Sequence, residues 1–173
     1  MSDSKPPCSL IPLELPASTR RLLPSISLDD WIVPSYAVGE KLASLVHLFD
    51  SSSLRDLVDS SPVVFYGDRG TGKTALSITL AVHWSRATSQ RPLAICSGDS
   101  FSSDLLAAIE VDDLDSFKNK YRKCKLLLID DLDSIASKPV TQQELVNTLD
   151  TLVDESAPVV INCSKLPASM KNL

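Results

Sequence analysis

Apolar residues fall into two alternating patterns along the chain. Short unbroken runs, Val63 to Tyr66, Leu93 to Cys96, Leu126 to Ile129 and Val159 to Cys163, are too short for helices, and Pro62, Pro92 and Pro158 open three of them. Such runs, bounded by turn residues, read as buried strands. Between them the apolar period lengthens. Leu76, Leu80 and Trp84 share one face of a helix predicted over 74–86, and two further helices are predicted over 102–109 and 114–122. Leu145, Val146, Leu149, Leu152 and Val153 form a stripe over 141–155, with Thr141 and Glu144 at capping-box spacing. Upstream, Leu42, Leu45, Val46 and Phe49 give a helical pattern over 36–58, interrupted by Ser51, Ser52 and Ser53. Strands alternating with helices predict an α/β fold, a parallel sheet with helices on both faces.

The first thirty residues break this pattern. Pro6, Pro7, Pro12, Pro16 and Pro24 remove backbone donors and restrict their neighbours, so an irregular Pro/Ser-rich arm is expected over 1–26. The remainder, 27–173, is long enough for one domain. Apolar content is 43% but aromatics only 5%, so the core must be mainly aliphatic. A net charge of −5 argues against a broad basic surface for nucleic acid, while leaving a local contact open. Cys8, Cys96, Cys124 and Cys163 show neither C-x-x-C spacing nor a nearby His, and read as small core residues in a reducing compartment. The N-terminus has no apolar signal core, and no run approaches the roughly 20 residues of a membrane helix. A soluble, cytoplasmic protein without a membrane span is expected.

The candidate chemistry sits at strand ends. Gly67-Asp68-Arg69-Gly70-Thr71-Gly72-Lys73-Thr74 matches G-x-x-x-x-G-K-[ST], between an apolar strand and a helix. Glycines let successive N–H groups curl inward onto phosphate oxygens, and the following helix adds its positive end. Lys73 supplies a point charge for the outer phosphates and Thr74 a hydroxyl for Mg²⁺. These eight residues and Ala75 are the candidate contacts to ATP or ADP. The third strand ends in Asp130-Asp131. Asp130 would hold Mg²⁺, directly or through water, and Asp131 would orient or deprotonate an attacking water. At the tip of the fourth strand, Asn162 and Ser164 are candidate sensors of the terminal phosphate.

These motifs and their surroundings resemble DnaA, the bacterial chromosomal replication initiator family within the AAA+ ATPases. Phe117-Lys118-Asn119-Lys120-Tyr121-Arg122 followed by Leu126-Leu127-Leu128-Ile129-Asp130-Asp131 resembles F-K-x-x-Y-R…L-L-I-D-D. Lys138-Pro139-Val140-Thr141-Gln142-Gln143-Glu144 is similar to K-E-x-T-Q-E-E. Leu28-Asp29-Asp30-Trp31-Ile32-Val33 resembles F-D-N-F-V-V, Lys41-Leu42-Ala43 resembles R-L-A, and Val159 to Pro167 resembles the strand ending in T-S-D-R-x-P. The resemblance spans about 27–173 and implies a P-loop NTPase fold of the AAA+ type, three layers α/β/α, incomplete on its C-terminal side. It implies that the helices over roughly 102–122 correspond to an initiator-specific insertion that stacks protomers into a filament and lines a single-strand DNA path. It also implies that Lys138 and Thr141 match positions touching the DNA backbone.

The chain departs from the pattern at several places. Val140 replaces an arginine, Pro34 a glycine, Glu40 an asparagine, Ser164 an aspartate and Lys125 another aspartate. In the family an R-L-x-S-R segment follows the point where this sequence stops, bringing an arginine finger, a fifth strand, a lid and a helix-turn-helix domain. The expectation is a fragment or truncated product whose strand Val63 to Tyr66 lies at an open sheet edge. Three readings follow: a replication initiator that assembles with itself under ATP control, a helicase-loader or regulatory ATPase of the same clade, and a non-catalytic nucleotide-binding interaction module. The chain alone is expected to bind nucleotide with negligible turnover.

Overall fold

The computed structural model describes Phe49 and residues 54–165. The arm, the motifs at Leu28 to Val33 and Lys41 to Ala43, the departures at Pro34 and Glu40, most of the helical pattern over 36–58, and 166–173 lie outside them.

The described elements are helix α1 (Leu54–Asp59), strand β1 (Val63–Tyr66), helix α2 (Lys73–Thr88), strand β2 (Leu93–Ser97), helices α3 (Gly98–Glu110) and α4 (Leu114–Arg122), strand β3 (Leu126–Asp130), a 3₁₀ turn (Leu132–Ile135), helix α5 (Pro139–Asp154) and strand β4 (Val159–Cys163). The four strands form a parallel sheet in the order β1-β4-β3-β2. Val63 lies opposite Val160, Leu128 opposite Val160, and Cys96 opposite Ile129.

Side chains alternate between the sheet's faces, so each strand feeds two cores. On one face Ala94, Cys96, Leu127, Ile129, Val159 and Ile161 pack with α3, α4 and α5 through Phe101, Leu105, Phe117, Tyr121, Leu145 and Leu152. On the other, Leu93, Ile95, Leu126, Leu128 and Val160 pack with Leu80, Ala81 and Trp84 of α2, with Leu57 and with Phe49. This gives the three layers the alternating pattern predicts. Among the described residues β1 pairs only with β4, so it stands at an edge, as expected. Its residues are the least covered of the sheet, and Tyr66 is 61% exposed.

Two helix starts differ from expectation. Helix α3 begins at Gly98 rather than Ser102, because the Ser97 hydroxyl accepts the Ser100 N–H and caps it directly off β2. The Gly-Asp-Ser sequence there has loop-like composition, which conceals the cap. Helix α5 begins at Pro139, whose fixed φ suits a first helical position, with Lys138 at the N-cap and no side-chain cap bond. The Thr141–Glu144 capping box is therefore not formed. Thr141 is buried and its hydroxyl meets that of Ser102 at 3.1 Å, while Glu144 pairs with Arg122. The α5 stripe is also rotated from expectation. Val153 is exposed, whereas Gln142 and Thr148 are buried.

Helices α3 and α4 are pinned by an aromatic trio. Phe101 lies edge-on to Phe117 and Tyr121 with centroids at 5.1 and 4.8 Å, and the Tyr121 hydroxyl donates to Asp104 at 2.6 Å. Burial pushes the Cys96 thiol up to about 12 and the Cys124 thiol up to about 11, and raises Tyr121 as well. These groups are held protonated by the fold. Their contribution is complete below the ordinary thiol value of 9.0 and is lost as pH rises from there toward 12. Denaturant midpoints should accordingly be flat from pH 7 to 8.5 on this account and fall above 9. Mass spectrometry after iodoacetamide treatment at pH 8 should find Cys96 and Cys124 unlabelled until the chain is unfolded. No helix among the described residues is long and apolar enough to cross a membrane.

Candidate functional site

The carboxyl ends of β1, β3 and β4 and the start of α2 meet around one cleft. Its volume is about 340 Å³, and it is lined by residues of the glycine-rich loop together with Asp130, Asp131, Asn162, Cys163 and Ser164. Ligand crevices in open α/β sheets lie at this end of the strands.

The loop turns back on itself through left-handed backbone at Gly70 and Gly72, with φ of 81° and 87°. A side chain at either position would strain that backbone. Gly72 is the N-cap of α2, so the helix opens immediately onto the cleft with Lys73 and Thr74 in its first turn. Unpaired amides and the helix dipole favour an anion there. The Lys73 ammonium donates to the Gly67 carbonyl at 2.6 Å and the Asp68 carbonyl at 2.7 Å, and the Thr71 hydroxyl donates to the Asp68 carbonyl at 2.9 Å. The loop thus holds its own cation at the mouth of the helix.

Opposite lies Asp130, the last residue of β3. The Thr74 hydroxyl donates to both of its carboxylate oxygens, at 2.9 and 3.1 Å. The Asn162 amide donates to the same carboxylate at 2.9 Å and to the Ser77 hydroxyl at 2.7 Å. Asn162 is buried, and its side-chain oxygen has no partner among the described residues. A hydroxyl and a carboxylate at hydrogen-bond distance form the hard-oxygen pair that suits Mg²⁺ held jointly with phosphates and water. The orphaned Asn162 oxygen adds an acceptor for a water in that shell. The donor set therefore fits the expected cation.

The remaining candidates divide. Asp131 follows at φ 50°, exposed, and lines the cleft beside Ser164. Ala75 also lines it, whereas Gly67, Asp68 and Thr71 serve through the bonds that hold Lys73. Lys138 and Thr141 are not brought to the cleft. Lys138 is ion-paired with Asp99 at 2.7 Å, and the Thr141 hydroxyl is buried against Ser102.

Four contributors carry no sequence motif. Ser77 links Asn162 to α2 and donates to the Thr74 carbonyl at 3.2 Å. Asp133 accepts the Ser164 N–H, tying the end of β4 to the turn after Asp131. Cys163, raised mainly by burial, forms part of the cleft wall. Gly98 supports the same turn from behind. A Cβ there would meet Ser134 Oγ at 2.6 Å and the Asp131 carbonyl at 3.0 Å. Gly98→Val should destabilise the fold by about 1–3 kcal/mol in urea denaturation, and should weaken nucleotide binding by displacing Asp131.

A family model described as the bacterial DnaA ATPase domain matches residues 46–173. The chromosomal replication initiator protein DnaA of Rickettsia canadensis (strain McKiel) is 31% identical over 145 residues, which are 84% of this chain and 31% of that protein. Among solved structures, AMPPCP-bound DnaA from Aquifex aeolicus superposes with a TM-score of 0.71 at 23% identity, over 85% of this chain and 44% of that one. The replication initiator DnaA bound to AMPPCP and single-stranded DNA gives 0.68 at 23%, over 87% and 45%. The DnaC helicase loader gives 0.68 at 14%, over 83% and 79%. These structural likenesses establish the α/β fold. The chain spans about a third of the length of the curated relative it matches.

Proposed function

The chain belongs to the bacterial DnaA ATPase-domain family, and on that premise we propose that its 27–173 unit binds ATP with Mg²⁺ at Gly67 to Ala75 and acts as an ATP-controlled assembly switch in replication initiation. The observation that carries this is the convergence of Thr74, Asp130 and Asn162 on one point, facing the loop that holds Lys73.

Each residue has a physical task in this reading. Backbone amides at the start of α2 bind phosphate oxygens. The Lys73 ammonium exchanges a carbonyl partner for an outer phosphate oxygen, a stronger, charge-assisted bond. Thr74 and Asp130 would hold the cation, which would supply charge neutralisation for the bound phosphates. Asp131 orients a water toward the terminal phosphate, Ser164 reports whether that phosphate is present, and Asn162 responds to it through the Asp130 carboxylate that its amide holds. Cytoplasmic location and stacking through the α3–α4 pair, where Leu106, Ile109 and Val111 are exposed, complete the proposal.

Calorimetric titration of the chain with ATP or ADP in Mg²⁺ tests it. Saturable one-to-one binding is expected, with thermal stabilisation of about 2.7 kcal/mol at a hundredfold excess over Kd. No heat and no thermal shift at millimolar nucleotide would overturn it.

A second reading, a loader-like or regulatory ATPase of the same clade, draws support from one observation. Of the two candidate DNA contacts, Thr141 is buried and Lys138 is already paired with Asp99. Fluorescence anisotropy with a labelled single-stranded oligonucleotide separates the two. ATP-dependent binding favours the initiator, and its absence favours the loader or regulator.

A further inference from the structure

The phosphate-loop pattern specifies two glycines, a lysine and a hydroxyl residue, and leaves Asp68, Arg69, Gly70 and Thr71 unconstrained. Gly70 supplies a left-handed turn, the Thr71 hydroxyl donates to the Asp68 main-chain carbonyl, and that carbonyl also accepts from Lys73. Arg69 is different. It is exposed, it lines the same cleft as Lys73, Thr74, Asp131 and Ser164, and it makes no hydrogen bond or ion pair among the described residues. Three other cations are engaged in ion pairs, Lys120 with Asp104, Arg122 with Glu144 and Lys138 with Asp99.

Charge makes this position consequential. The cleft wall carries two carboxylates, Asp130 and Asp131, against Lys73 alone if Arg69 is set aside. A polyphosphate adds further negative charge, with the largest share on the terminal group. A guanidinium is permanently charged and offers paired donors that match two non-bridging oxygens of one phosphate. Arg69 precedes the left-handed turn at Gly70, whereas Lys73 follows it in α2, so the two cations flank the loop's turn. Asp131 and Ser164, to which the proposed reading gives tasks at the terminal phosphate, share the cleft with it.

We infer that Arg69 is a second, cis-acting phosphate ligand that clamps the terminal phosphate and makes this chain discriminate nucleoside triphosphate from diphosphate. The inference rests on the nucleotide-binding reading above. Lys73 and the loop amides grip what both nucleotides share, while Arg69 bonds mainly to the group only the triphosphate has. Differential binding of this kind is what an assembly switch requires, because a ligand shifts an equilibrium only by its differential affinity.

The test compares the unaltered chain with Arg69→Ala and Arg69→Lys, titrated calorimetrically with Mg²⁺ and either a non-hydrolysable ATP analogue or ADP. Arg69→Ala should weaken analogue binding about 10–100-fold, the range of a lost charge-assisted bond, and change ADP binding less than about twofold. Arg69→Lys should recover only part of the loss, since a point charge cannot bond in bidentate fashion. Unchanged melting of Arg69→Ala would show that the exposed site is not structural. Equal losses for both nucleotides, or no loss for either, overturn the inference while the nucleotide-binding reading stands. If the unaltered chain binds neither nucleotide, both fall.

Discussion

Lys73→Ala should lower affinity for ATP by about 10²–10³-fold, the loss expected for two bonds between a cation and phosphate oxygens. The fold should scarcely notice. Lys73 gives up two carbonyl bonds, to Gly67 and Asp68, but it also places a positive charge in the first turn of α2, where the helix dipole disfavours it. Alanine is the better residue there for helix formation alone. The losses and gains oppose each other, so the urea midpoint should move by less than about 0.5 kcal/mol in equivalent stability. Calorimetry on the variant, with urea denaturation alongside, checks both halves. Retained affinity would remove Lys73 from the site, and a large loss of stability would mean that its carbonyl bonds matter chiefly to the fold.

The opposite profile is expected for Phe101→Ala. Phe101 is fully buried and contacts both Phe117 and Tyr121 edge-on, joining α3 to α4 and both to the sheet. Truncating a buried aromatic costs about 3–5 kcal/mol, a large part of the 5–15 kcal/mol that holds a typical domain together. The urea midpoint should fall by about 2 M. The variant should bind nucleotide normally under conditions where it remains folded, because none of the cleft residues belongs to the trio. A shift below about 1 kcal/mol would mean that neighbouring side chains collapse into the space.

These two residues also mark what the sequence discloses and what it withholds. Lys73 is legible because the phosphate loop is a local device, with strand, glycines, lysine and helix start contiguous in the chain. Asp130 is legible for a related reason, since a buried apolar strand delivers its last residue to the ligand end of a parallel sheet. On sequence alone Asn162 and Ser164 are both candidate sensors, and nothing separates their roles. The bonds of Asn162 run to Ser77 and Asp130, partners 85 and 32 positions away, and only the adjacency of β3 and β4 brings them together. Asp133 and Gly98 were invisible for the same reason. The Thr141–Glu144 spacing misled because a capping pattern competes with tertiary partners, and here Ser102 and Arg122 win. Val153 is exposed and Thr148 buried because the face of α5 turned to the core is centred on Leu145, Thr148 and Leu152, to one side of the apolar stripe read from periodicity.

The pairing of β1 with β4 has a kinetic consequence. The phosphate loop hangs from β1, yet the strand that completes its surroundings comes almost a hundred residues later, and the bond from Val159 N–H to the Ser61 hydroxyl joins positions 98 apart. Contacts of such range wait on a long loop closure, so they form late and slowly. Asn162 and Ser164 reach the cleft only when that closure is made. Nucleotide held by all of these groups engages a chain that has finished folding, and its binding energy then slows the escape of β4 from the sheet.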